Sequence, residues 1–198
     1  MLTQQFEHFY EKWYEKANGY IDNTLSDAFD KFITLYIIYN SLYVEVWNKL
    51  VLSDFKKVSK KNFRERIAAT DYIIKYLKDT YYIDKLFCNE QSEKCLSTIC
   101  QLIEQERFYI VFEVNNNGIR QPFPNKDKDL LNCLKSNSKN SRAKAILELI
   151  YNIRCNLIHG GKGFEEYQKE LLFPVNYILE KTIEIMYDKL KNENILIN

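Results

Sequence analysis

Residues 32–47 read FITLYIIYNSLYVEVW, and the reading of this run decides the fold. It is the most apolar stretch of the chain, yet Asn40, Ser41 and Glu45 interrupt it. At this length it is short for a bilayer crossing, which takes about 20 apolar residues. It reads as a buried helix of a cytoplasmic protein with no membrane span. Starting near Ser26, a good cap, and running to about Leu52, such a helix has the length and apolar width to be the central strut of a bundle.

The rest of the chain agrees. Its 198 residues suit one domain spanning 1–198 with a core of its own. Hydrophobic residues make up 46%, while five glycines and three prolines are too few for a turn-rich β architecture. Upstream, Phe6, Phe9, Tyr10, Trp13 and Tyr14 recur at helical spacing over about 3–18. That segment has acids and aromatics where a secretory signal needs a basic start and an apolar run. Downstream, SDFKKVSKK is a basic connector to a helix over about 62–78, and a further helix spans about 92–113 with Phe108 inside. The stretch 114–129, with Asn117-Gly118 and two prolines, reads as the longest loop. Helices over about 141–159 and 165–192 follow, the last one kinked or broken at Pro174. The expected fold is all-α, a compact bundle of five or six helices.

A net charge of +1 provides no broad field for non-specific duplex binding. Cys88, Cys95, Cys100, Cys133 and Cys155 form no C-x-x-C pair, and two histidines cannot complete a usual zinc set with them. They read as reduced thiols, so neither a metal nor a cofactor is expected. P-loop and dinucleotide glycine motifs are missing as well.

Chemistry concentrates in YNIRCNLIHGG, residues 151–161, with one of six arginines and one of two histidines. On an ideal helix, at about 100° per residue, Ala143, Ile146, Ile150, Ile153 and Leu157 share the core face. Glu148, Asn152, Cys155, Asn156 and His159 fall opposite, with Arg154 at the margin. Gly160 and Gly161 can end the helix, leaving His159 in the last turn and Lys162 just beyond. A histidine there also suits the helix dipole, so simple capping is the plainer role.

RCNLIHGGK, together with FITLYIIYNSLY, resembles the HEPN superfamily, particularly its Apea-like bacterial members, in architecture over most of the chain and in a few specific residues. The resemblance implies a helical bundle with an R-x(4–6)-H motif, in which Arg154 and His159 match the two named positions. It also implies a metal-independent endoribonuclease acting on RNA, a homodimer with two motifs facing one cleft, and a setting in phage defence or a toxin–antitoxin pair. Members often place asparagine directly after the arginine; here Cys155 stands there and Asn156 follows.

The residue types suit that chemistry. A histidine can move the 2′-hydroxyl or leaving-group proton near neutrality, and an arginine fork can hold the phosphate. Asn156 is expected to orient the imidazole or the substrate, Asn40 to support the motif from the apolar helix, and Lys162 to contact RNA phosphate. The second reading is a non-catalytic HEPN-like interaction module, a dimeric scaffold or the partner of a nucleotidyltransferase.

Overall fold

The computed structural model describes residues 2–21, 24–53, 63–158 and 165–195. Helix α1 (Gln4–Asn18) starts where the Thr3 hydroxyl accepts from the Phe6 amide at 3.1 Å. Thr24 caps α2 (Leu25–Leu52) in the same way through the Asp27 amide. Each cap answers one of the amides that a helix start leaves without a partner.

Next, α3 runs from Glu65–Ile67 through a π-helical turn, Ala68–Tyr72, to Ile73–Leu77. It is followed by α4 (Asp79–Leu86) and α5 (Glu90–Glu104). A hairpin pairs β1 (Phe112–Val114) with β2 (Arg120–Pro122), Phe112 opposite Pro122. Then come α6 (Pro124–Leu134), α7 (Lys139–Ile158) and, after the short turn Glu166–Gln168, α8 (Lys169–Ile195). The class is all-α, with eight helices among the described residues rather than five or six.

The apolar run of α2 sits where a strut should, against α1, α3 and α8. Phe32, Leu35, Tyr39, Leu42 and Val46 bury their side chains fully. They meet Ile178, Leu179 and Met186 of α8 and Ile146, Ile150 and Ile153 of α7 in one continuous core. Some polar groups inside it are bonded: Tyr82 meets Thr182 at 2.9 Å, and the Asn176 amide donates to the Ala28 carbonyl at 2.9 Å. The π turn of α3 frees carbonyls from the usual ladder, and side chains answer them. Tyr39 donates to Ala69, and Thr70 donates to Arg66 at 2.7 Å.

Several sequence expectations need correction. The fifth helix stops at Glu104 because Glu106 adopts a φ of 54°, so Phe108 is buried beyond the helix instead of on it. The presumed loop 114–129 is largely ordered structure. Gly118, at φ 76°, turns the hairpin, and α6 begins at Pro124, which can occupy a helix start because no amide is needed there. The buried Asp127 carboxylate fixes this junction, accepting from the Ile110 and Val111 amides at 3.1 and 2.8 Å. Pro174 neither breaks nor ends α8, whose span includes it; lacking an amide, it removes one bond of the ladder, the one to the Glu170 carbonyl. The basic connector lies outside the described residues from position 54 to 62.

Candidate functional site

Helix α7 holds the motif, and its two flanks are treated differently. Arg154 lies on the flank against α2 and α3. Its guanidinium is 5.5 Å from the centre of the Tyr36 ring, and Nη2 is 3.1 Å from Glu65 Oε1. The same Glu65 oxygen accepts from the Tyr43 hydroxyl at 3.2 Å. Nη1 approaches the Cys155 thiol at 3.9 Å, a weak contact.

Three elements thus converge on one guanidinium. Tyr36 and Tyr43 are buried on α2, spaced two turns apart, so both rings face the same flank of α7. Burial pushes both phenols well above the usual tyrosine range, the effect being reinforced at Tyr43 by Glu65. They remain proton donors at neutral pH. Burial alone would lower the Arg154 pKa, but the Cys155 contact, Tyr36 and Glu65 outweigh it and raise it. Tyr151, one turn back, is pushed up to about 12, chiefly by burial, with Cys155 and Glu65 adding to it.

An arginine has five N–H donors. One faces Glu65 and one the Cys155 sulfur, while the Nε of Arg154 is buried without a hydrogen-bond partner among the described residues. The Tyr36 hydroxyl is likewise buried and unpartnered. Unanswered buried donors are uncommon, because each costs free energy. Here they sit together, beside a fixed positive charge with capacity for another acceptor.

The opposite flank of α7 is structural. Asn156 was expected on the outward face with Cys155; it is buried, 7% exposed. Its amide donates to the Ile110 carbonyl at 2.9 Å, and its oxygen accepts from Arg120 at 2.6 Å. Arg120 also reaches the Cys155 carbonyl at 3.4 Å and lies 4.9 Å over the Phe112 ring. With both ends of the amide engaged, Asn156 ties the hairpin to the last turn of α7.

Asn40 is exposed, not an amide buried between helices, and it lies one turn along α2 from Tyr36. His159, Gly160, Gly161 and Lys162 lie outside the described residues, which end on this helix at Ile158. Sequence reading missed Glu65, Tyr36, Tyr43 and Arg120. Only Arg120 carried a signal, as one of six arginines within an otherwise polar turn segment.

Among the described residues no group of three His, Cys, Asp or Glu side chains is placed to hold a metal ion. No described helix is long and apolar enough to cross a membrane. Compared with family models, with curated proteins and with solved structures, the chain has no match.

Proposed function

We propose that this protein is a metal-independent endoribonuclease of the HEPN type, acting on RNA in the cytoplasm. Arg154 binds the scissile phosphate and His159, five residues further along the chain, transfers the proton. The observation that carries this reading is the half-buried Arg154 guanidinium, set on Tyr36 and held by Glu65, with donors that no described residue fills. A phosphate is the acceptor that a planar, permanently charged fork matches best.

One Arg–His pair supplies half of what the reaction wants, so the active species in this reading is a homodimer. The outward side of α2 suits a second copy: Ile33, Ile37, Asn40, Ser41, Val44 and Asn48 follow one another there at helical spacing, half-buried or exposed and without a charge. It borders Tyr36, so a copy seated on it stands next to Arg154. An antitoxin or nucleotidyltransferase encoded as a partner fits the same defence setting.

The Glu65–Arg154 pair also supports the second reading, a non-catalytic interaction module, because it gives the arginine a structural use. Cleavage of RNA in EDTA separates the two. In the nuclease reading the wild type leaves 2′,3′-cyclic phosphate ends, while Arg154→Ala and His159→Ala remain folded and dimeric but cut nothing. Equal cleavage by all three proteins, or none by the wild type on varied RNAs, gives the chain to the interaction module.

A further inference from the structure

On the flank of α7 that faces α2 and α3, donors from two helices meet on one atom. Glu65 Oε1 accepts from Arg154 Nη2 at 3.1 Å and from the Tyr43 hydroxyl at 3.2 Å. An arginine fork with a phenol beside it suits a phosphate oxygen as well as a carboxylate oxygen. We infer that the Glu65 carboxylate occupies the phosphate site of this protein, and that an RNA phosphodiester binds by displacing it, taking the Arg154 fork and the Tyr43 hydroxyl as its donors. The inference rests on the nuclease reading for its choice of ligand. It adds Tyr43 as a substrate-binding residue and Glu65 as a competitor built into the chain.

Glu65 fills the site incompletely. Arg154 Nε and the Tyr36 hydroxyl are buried without a hydrogen-bond partner among the described residues. Tyr36 belongs to the same cluster: burial does most to keep its phenol protonated, and Tyr43, Arg154 and Glu65 act on it in turn. A carboxylate presents two oxygens in one plane. A phosphodiester presents four in a tetrahedron, two of them sharing the charge, and so can answer donors that the carboxylate leaves unmet.

Glu65 is also placed to leave. It is the first residue of α3, preceded by Arg64 in extended backbone, and its side chain is more exposed than that of Arg154. A pair this open to water is weak, so an incoming anion loses little by breaking it. The other partners stay where they are. Tyr36 and Tyr43 are buried on α2, and the Tyr36 ring centre, 5.5 Å from the guanidinium, keeps Arg154 in position while the carboxylate swings into water.

The test is binding of a 2′-O-methylated single-stranded oligoribonucleotide, which lacks the free 2′-hydroxyl that cleavage uses, read by fluorescence anisotropy. Glu65→Gln keeps the size of the side chain and removes its charge, and is expected to tighten binding about fivefold. Glu148→Gln makes the same change of charge and likewise frees an arginine, Arg66; its gain should be smaller. Tyr43→Phe is measured on top of Glu65→Gln, where no carboxylate competes, and is expected to weaken binding about tenfold. A phenol that served only to anchor Glu65 would have no effect in that background. If the double variant does not fold, the comparison of Glu65→Gln with Glu148→Gln decides. Wild-type or weaker affinity in Glu65→Gln, an equal gain from Glu148→Gln, no loss from Tyr43→Phe in the double variant, or no binding by the wild type would each overturn the inference.

Cleavage of unmodified RNA keeps the two claims apart. A wild type that cuts through Arg154 while Glu65→Gln binds no tighter removes the competitor and leaves the nuclease. A wild type that cuts nothing, with variants that shift binding as expected, leaves the phosphate site and removes the nuclease.

Discussion

Arg154 is held by contacts that are each modest. Its pair with Glu65 is partly open to water, with side chains 21% and 37% exposed, so it contributes about 1 kcal/mol at most. The Tyr36 ring adds about as much. A lysine could keep the charge and much of that stability, but not the fork that grips two phosphate oxygens. Arg154→Lys is therefore expected to stay within about 1 kcal/mol of wild type in urea unfolding and, in the proposed nuclease, to lose about 100-fold in RNA cleavage. A wild-type rate would remove the fork from the mechanism. Asn156 predicts the opposite pattern. Asn156→Ala leaves the buried Ile110 carbonyl without its donor and should cost about 1–3 kcal/mol of stability, read from the same unfolding curves. Arg154 was legible because helix angles alone place it at the margin of the core face. Asn156 was not, since whether that flank is covered depends on residues 110 and 120, distant in sequence. Glu65 left no mark at all, being one of many acids until the π turn brings α3 against α7.

At the scale of elements, hydrophobic period and capping residues gave α1, α2, α7 and α8 nearly as they stand, since each offers a long periodic face to the core. The middle of the chain resisted the same method. Between Leu77 and Asp79 one residue separates two helices, and that residue is Lys78 at φ 69° and ψ 135°. Nothing about a lysine announces a left-handed turn, which glycine adopts freely and a side chain with a Cβ does not. The packing of Leu77 and Tyr82 on either side, both fully buried, imposes it. Lys78→Gly should thus stabilise the protein by about 1 kcal/mol, the relieved strain exceeding the added freedom of the unfolded chain. A lower urea midpoint for the variant would show that Lys78 is not strained. The hairpin and α6 escaped for a related reason: their short periodic faces are fixed by Asp127 bonding across to the 110–111 backbone, a tertiary contact without a local pattern.

Over the whole molecule, an aromatic-rich core gives the fold a dependence on proton concentration. Tyr10, Tyr14, Tyr36, Tyr39, Tyr43 and Tyr82 all have pKa values raised, first by burial and then, at most of them, by neighbouring carboxylates or phenols. The folded protein therefore holds these protons more tightly than the unfolded chain, where tyrosine titrates near pH 10. Linkage sets the sign. The stability from these groups is fully present below about pH 10 and declines as pH rises further, because unfolding then releases protons. With six such groups spread over α1, α2 and α4 and packed against α3 and α8, no single helix can titrate by itself. The expected outcome of an alkaline titration is that part of the tyrosinate absorbance, that of the buried phenols, appears only in a steep transition above about pH 10 in which helical circular dichroism falls. If all fifteen phenols instead ionised while the helical signal held, the tyrosines of α2 would be open to water, and the buried platform under Arg154 would not exist in solution.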